Sequence, residues 1–162
     1  MFSKSFDFTD DVFSLFLLFK EEPHVFFLDS SLTTSSNGRY SFIGFDPFEV
    51  IEGRDLESFR RFKQRFLALQ KLTETSGLPL CSGAVGFLSY DLGMLFQGVS
   101  NPGTAGSLTP LFHFGLYDVV LTVDHLEQKL YIQSNGFPET APDTRRKRAA
   151  QRLDSVAARI EN

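Results

Sequence analysis

The sequence predicts a single α+β domain, a mainly antiparallel β-sheet with helices packed on one side. Three observations lead there. Short apolar runs bounded by turn residues recur along the chain, as in HVFFLDS (24–30), RYSFIGF (39–45) and the paired runs 114–125 and 129–134. Two longer segments carry apolar residues at helical spacing instead. The 162 residues are enough for one domain with a sizeable core.

The elements follow in chain order. Thr9, Asp10 and Asp11 precede Val12, Phe13, Leu15, Phe16, Leu17 and Phe19, so a short helix starts there with acidic residues at its favourable end. Pro23 ends it. Residues 24–30 read as a buried strand, and a polar loop (31–38) closes on the turn pair Asn37-Gly38. In the strand 39–45, Arg39, Ser41, Ile43 and Phe45 share one face, and Tyr40, Phe42 and Gly44 the other. Asp46-Pro47 breaks the run, and 48–52 resumes an extended path.

The clearest helix follows. Leu56, Phe59, Phe62, Phe66, Leu69 and Leu72 form an apolar stripe, expected to lie on the strands of 24–52, with a stop at 75–77. SGAVGFLSYD (82–91) is a glycine-spaced strand that implies close backbone approach, with a helical turn over 92–96. Residues 100–109 form a loop. Runs 114–125 and 129–134 form a long hairpin. After a connector, Asp143 caps a last helix to about Ile160, with Ala149, Ala150, Leu153, Val156, Ala157 and Ile160 on its stripe.

Composition excludes several functions. The 19 Phe and absence of Trp describe a core filled by flat rings. A formal charge of −4 argues against a nucleic-acid partner, and the basic run 145–148 reads as a solvated helix face. The longest apolar run, 12–19, is too short to cross a membrane. Cys81 is the only cysteine, so no intrachain disulfide forms; an inert thiol in a cytoplasmic protein is expected. His24, His113 and His125 are scattered, without metal-ligand spacing. Gly83-Ala84-Val85-Gly86 lacks the Lys-Ser/Thr of a phosphate loop. Catalytic residues and metal ligands are therefore expected to be absent.

Three segments add a resemblance. FFLDSSLTTSSNGRYSFIGFDPFEV (26–50), SGAVGFLSYDLG (82–93) and LYDVVLTVDHLEQKLYI (116–132), in this order, resemble the N-terminal part of component I of the chorismate-utilising synthases. The stretch Leu28-Asp29-Ser30-Ser31-Leu32 is closer to aminodeoxychorismate synthase than to anthranilate synthase, where Glu is usual before the Ser. The resemblance implies one N-terminal domain over 1–162, with a sheet core (1–140) and a linker helix (141–162). The catalytic chorismate-binding domain and its Mg²⁺ carboxylates would lie outside it, and this domain would be half of a two-sheet sandwich with an exposed apolar face. A glutamine amidotransferase subunit is the implied partner.

The resemblance also implies a tryptophan-type effector pocket at Leu28, Asp29, Ser30, Arg39, Tyr40 and Ser41. Asp29 and Ser30 would accept from the ammonium, Arg39 would clamp the carboxylate, and Phe26, Phe42 or Tyr40 would flank the ring. The structural alternative is an Asp29–Arg39 pair holding strand register. The family's second signature usually opens Gly-Gly; Ser82 replaces the first glycine and would be strained at positive φ. The function expected is the non-catalytic scaffold and effector domain of aminodeoxychorismate synthase component I, toward 4-aminobenzoate and folate. The alternatives are the equivalent part of anthranilate synthase, a stand-alone amino-acid sensor, or a structural remnant.

Overall fold

The computed structural model describes residues 1–30, 38–74, 77–99 and 109–161. Its elements are β1 (Phe2–Asp7), α1 (Val12–Leu17), β2 (Phe26–Leu28), β3 (Tyr40–Gly44), β4 (Glu49–Gly53) and α2 (Leu56–Gln70). Then come β5 (Gly83–Leu88), α3 (Tyr90–Phe96), β6 (Phe112–Tyr117), β7 (Val119–Asp124), β8 (Lys129–Ser134) and α4 (Pro142–Ile160). The strands form a five-stranded sheet, order β1-β8-β7-β3-β2, and a three-stranded sheet, order β4-β6-β5. Every pairing is antiparallel. The expected α+β, antiparallel class is what the structure shows.

The two sheets share one ribbon. β3 pairs β7 in the first, and their continuations β4 and β6 pair in the second. The ribbon changes sheets at Asp46-Pro47 on one strand and at Asp118 on the other. The run 114–125, expected as one hairpin arm, is thus two strands divided at Asp118. Asp46 sits at φ 49°, and its carboxylate accepts from Arg152 Nη1 of α4 at 2.8 Å. Asp118 is 3% exposed and accepts from Ser134 Oγ (2.8 Å), Asn135 N–H (3.1 Å) and Phe137 N–H (2.9 Å). Burial pushes its carboxyl above the ordinary value, against the opposing pull of those donors and of nearby Arg152.

Each sheet carries its helices on one face. Val12 and Leu15 of α1, and Leu153, Val156 and Ala157 of α4, pack on Ile43, Val119, Leu121, Leu130 and Ile132. Phe62 and Leu69 of α2 and Leu92 of α3 pack on Phe112 and Leu116. The α2 stripe therefore lies on the second sheet, which contains β4 but not β2 or β3. Phe62 stacks on Phe114 with ring centroids 4.6 Å apart. Gly86 explains the glycine spacing of β5, because a Cβ there would come 1.9 Å from the His113 carbonyl oxygen. α2 ends earlier than expected, with Lys71 as its C-cap; Thr75, Ser76 and all but the last residue of each loop expected at 31–38 and 100–109 lie outside the described residues.

Two further expectations are corrected at α4. Its N-cap is Ala141, without a side-chain cap, and Asp143 lies inside the first turn, where its charge still favours the helix. The basic run is only half solvated. Arg146 and Lys147 are exposed, but Arg145 donates to the Asn135 carbonyl (3.0 Å) and the Leu72 carbonyl (2.9 Å), and Arg148 to the Phe137 carbonyl (2.7 Å). Ala150 is also exposed, off the buried stripe. β1, in contrast, was not anticipated: the alternation Phe2-Ser3-Lys4-Ser5-Phe6 half-buries every second residue along β8.

The outer face of the second sheet bears Val50, Gly115 and Val85 in one row and Glu52, His113 and Phe87 in the next. Val50 is 39% and Phe87 43% exposed. An anilinonaphthalene sulfonate dye is expected to light up on the folded chain and to lose much of that signal in Phe87→Ser. For the seam, Asp118→Ala leaves three buried donors without an acceptor and is expected to lower the unfolding free energy by roughly 3 kcal/mol or more in urea titration. Asp118→Asn keeps an acceptor for the two N–H groups and can donate to Ser134, so it is expected to cost less than half of that. Equal losses in the two variants would remove the seam's polar role.

Candidate functional site

The expected effector residues lie where β2 leaves the first sheet and β3 enters it. Leu28 is paired with Phe42 and is 47% exposed. Ser30 N–H donates to Ser41 Oγ (3.2 Å), and Ser30 Oγ donates to the Tyr40 carbonyl (2.7 Å). Ser41 is fully buried, with its Oγ 2.8 Å from Asp29 Oδ1 and 2.8 Å from His125 Nε2. The hydroxyl has one proton and two lone pairs. The carboxylate can only accept, so the proton goes to Asp29. Ser30 N–H takes one lone pair, and His125 Nε2 must donate into the other. That assigns a proton to Nε2 from the network.

The structural pairing expected for Arg39 is corrected. Its partner is Asp124, not Asp29. Arg39 Nε donates to Asp124 Oδ1 at 3.0 Å and Oδ2 at 3.1 Å, and Nη2 donates to Oδ2 at 2.7 Å. Glu127 adds a longer contact at 3.8 Å, and the guanidinium lies 4.9 Å from the Tyr40 ring centroid. Asp124 is 1% exposed and also accepts from the N–H of Leu126 and of Glu127, each at 3.1 Å. Burial pushes its carboxyl up, but Arg39 and the turn N–H groups outweigh that and hold it below the ordinary value. The same bonds raise Arg39.

The six predicted residues are thus neighbours at one edge, joined by Asp124 and His125, which the sequence reading missed. Their signal was the Asp-His pair at the end of the 116–124 alternation, where an Asp side chain typically closes a tight turn. Asp29 Oδ2 and Arg39 Nη1 carry no partner among the described residues; Asp29 is exposed and Arg39 half-buried. The cluster has no reactive nucleophile: Ser41 is buried and its proton is committed to Asp29. Ser82 is unstrained, since the described non-glycine residues at positive φ are His24, Asp46 and Gln128. Its hydroxyl accepts from Asn135 Nδ2 at 2.9 Å.

The Asp124 linkage has a definite sign. A depressed carboxyl contributes stability that is present above the unfolded value, about 4, and is lost as pH falls through the lower folded value. Asp124→Asn is expected to flatten the acid side of the urea-midpoint profile below about pH 4. An unchanged slope would remove the ion pair from the stability of this edge. Ser41→Ala is expected to cost about 1–3 kcal/mol, since the Ser30 N–H loses its acceptor and Asp29 its donor.

Comparison with known proteins identifies the family. Over 131 residues the chain is 26% identical to aminodeoxychorismate synthase component 1 of Bacillus subtilis, covering 70% of this chain and 28% of that protein. It is 31% identical over 142 residues to anthranilate synthase component 1 of Acetivibrio thermocellus, covering 75% of this chain and 28% of that protein. The crystal structure of anthranilate synthase component I from Streptococcus pneumoniae superposes with a TM-score of 0.52 at 22% identity, over 76% of this chain and 30% of that one, and shows the same fold. The chain spans less than a third of the length of these relatives. The sequence model described as chorismate binding enzyme matches residues 25–161, most of the chain, and the protein belongs to that family.

Proposed function

We propose that this chain is the scaffold and effector-binding part of component I of an aminodeoxychorismate synthase. In this reading the chemistry, amination of chorismate toward 4-aminobenzoate and folate, is performed by a chorismate-binding domain outside these residues, with ammonia from a glutamine amidotransferase subunit. The observation that carries the assignment is Asp29. Its short carboxylate reaches Ser41 Oγ at 2.8 Å, at the position where a longer Glu is usual in anthranilate synthases. The Mg²⁺ of the family's reaction finds no fitting set here, since among the described residues no group of three His, Cys, Asp or Glu side chains could hold a metal ion. No step through it is assigned to this chain. No helix among the described residues is long and apolar enough to cross a membrane.

The effector would be an amino acid such as tryptophan. Asp29 offers an acceptor to its ammonium. The carboxylate has to meet the Nη1 edge of Arg39, because Asp124 holds the Nε and Nη2 edge. One-edge contact is weaker than a two-bond clamp, so a lone scaffold binds weakly. A second reading, the matching part of anthranilate synthase component I, is favoured by the 31% identity to the Acetivibrio thermocellus protein.

Calorimetry with tryptophan is expected to give weak, saturable heat that disappears in Asp29→Ala. Heats equal to dilution in the parent chain would leave a scaffold without an effector. The purified 162-residue chain is expected to convert no chorismate when supplied with ammonia and Mg²⁺; turnover would overturn the scaffold reading.

A further inference from the structure

A half-enclosed cavity of about 380 Å³ opens between the C-terminal half of α2 and the segment that enters β5. Phe48, Phe66, Phe137, Leu69, Leu80 and Leu116 form its walls. It sits beside the bend between β6 and β7, next to Leu116 and Tyr117, whereas Asp124 and the Asp29 cluster lie at the far end of β7; the two share no lining residue. Among the described residues, no side chain charged at neutral pH lines it.

Three polar side chains in the wall already have a partner inside the protein. Thr73 Oγ1 donates to the Leu69 carbonyl at 3.1 Å, Ser82 Oγ accepts from Asn135 at 2.9 Å, and Tyr117 OH donates to the His24 carbonyl at 2.5 Å. Gln70 differs: it is exposed at the mouth and has no partner among the described residues.

We propose that this cavity binds a neutral, flat aromatic molecule carrying one hydrogen-bonding group, its ring among the three phenylalanines and its polar edge at Gln70. The volume lies in the range of small-molecule sites. Phe48 and Phe137 already pack on each other, tilted at 44° with centroids 5.8 Å apart, so an added ring lies against this pair and not between its members. A charged ligand is refused, because it would lose its hydration and find no counter-charge in the wall. The site does not depend on which synthase the chain serves, nor on the effector reading of Asp29.

The test uses 1-naphthol, with 1-naphthoate as its charged counterpart. The chain contains no Trp, so naphthol emission is read without an indole background. Saturable naphthol binding is expected, with naphthoate at least about 10-fold weaker. Nuclear Overhauser contacts from the naphthol ring to the methyls of Leu69 and Leu116 locate it. Gln70→Ala, on the exposed side of a helix, is expected to weaken naphthol several-fold and leave naphthalene unchanged. Ala84→Leu is expected to fill the cavity and abolish both. No saturable binding, equal affinity for naphthoate, or binding without contacts to those two leucines, as on the Phe87 face, overturns the proposal.

Discussion

The fold turns on a buried carboxylate at a bend. Asp118 lies between β6 and β7, and its two oxygens gather the hydroxyl of Ser134 and the N–H groups of Asn135 and Phe137. These donors would otherwise be orphaned where β8 leaves its sheet. The bend itself sends the shared ribbon from one sheet into the other, and the opposite strand makes the same turn at Asp46-Pro47. Arg152 of α4 stands between them, bonded to Asp46 and acting on Asp118 through its charge. Satisfying so many buried polar groups with one side chain makes the position demanding, since a partial network costs more than an apolar one. Both sites inherit its placement: the apolar cavity lies beside the bend itself, against Leu116, Tyr117 and Phe137, and the Asp29 cluster at the far end of β7.

What the sequence revealed and what it hid divide along the range of the interactions. The α2 stripe, the strand 39–45 with Ser41, Ile43 and Phe45 on one buried face, and the break at Asp46-Pro47 are written in residues a few positions apart, where periodicity and turn chemistry operate. The split at Asp118 was hidden, because its partners lie 16 to 19 residues away and the run around it is apolar on both sides. Arg39 was assigned the nearest carboxylate across a loop, Asp29; its true partner, Asp124, is 85 residues distant. The basic run misled for the same reason, since the carbonyls that Arg145 and Arg148 grip come from other elements. β1 went unread although Phe2 and Phe6 alternate with polar residues, a period that was legible.

The edge cluster shows how a polar site can be built without being reactive. The polar hydrogens of Ser30 and Ser41 and the N–H groups of Leu126 and Glu127 have acceptors, and Arg39 commits two of its five N–H donors to a buried acid. What remains without a partner among the described residues is one carboxylate oxygen of Asp29 and the Nη1 edge of Arg39. Membership in the chorismate binding enzyme family and this inert geometry are compatible if the chain supports chemistry located elsewhere.

Arg145 carries a mechanical corollary. One guanidinium holds the carbonyl of Leu72, just past α2, and that of Asn135, just past β8, while its own backbone carbonyl is where a Cβ on Gly136 would collide, at 2.1 Å. Fraying of the first turn of α4 therefore releases the tail of a helix seated on the other sheet. Amides near Leu72 and near Arg145 should exchange with deuterium at matched rates, as a single opening unit, although some seventy residues of chain lie between them.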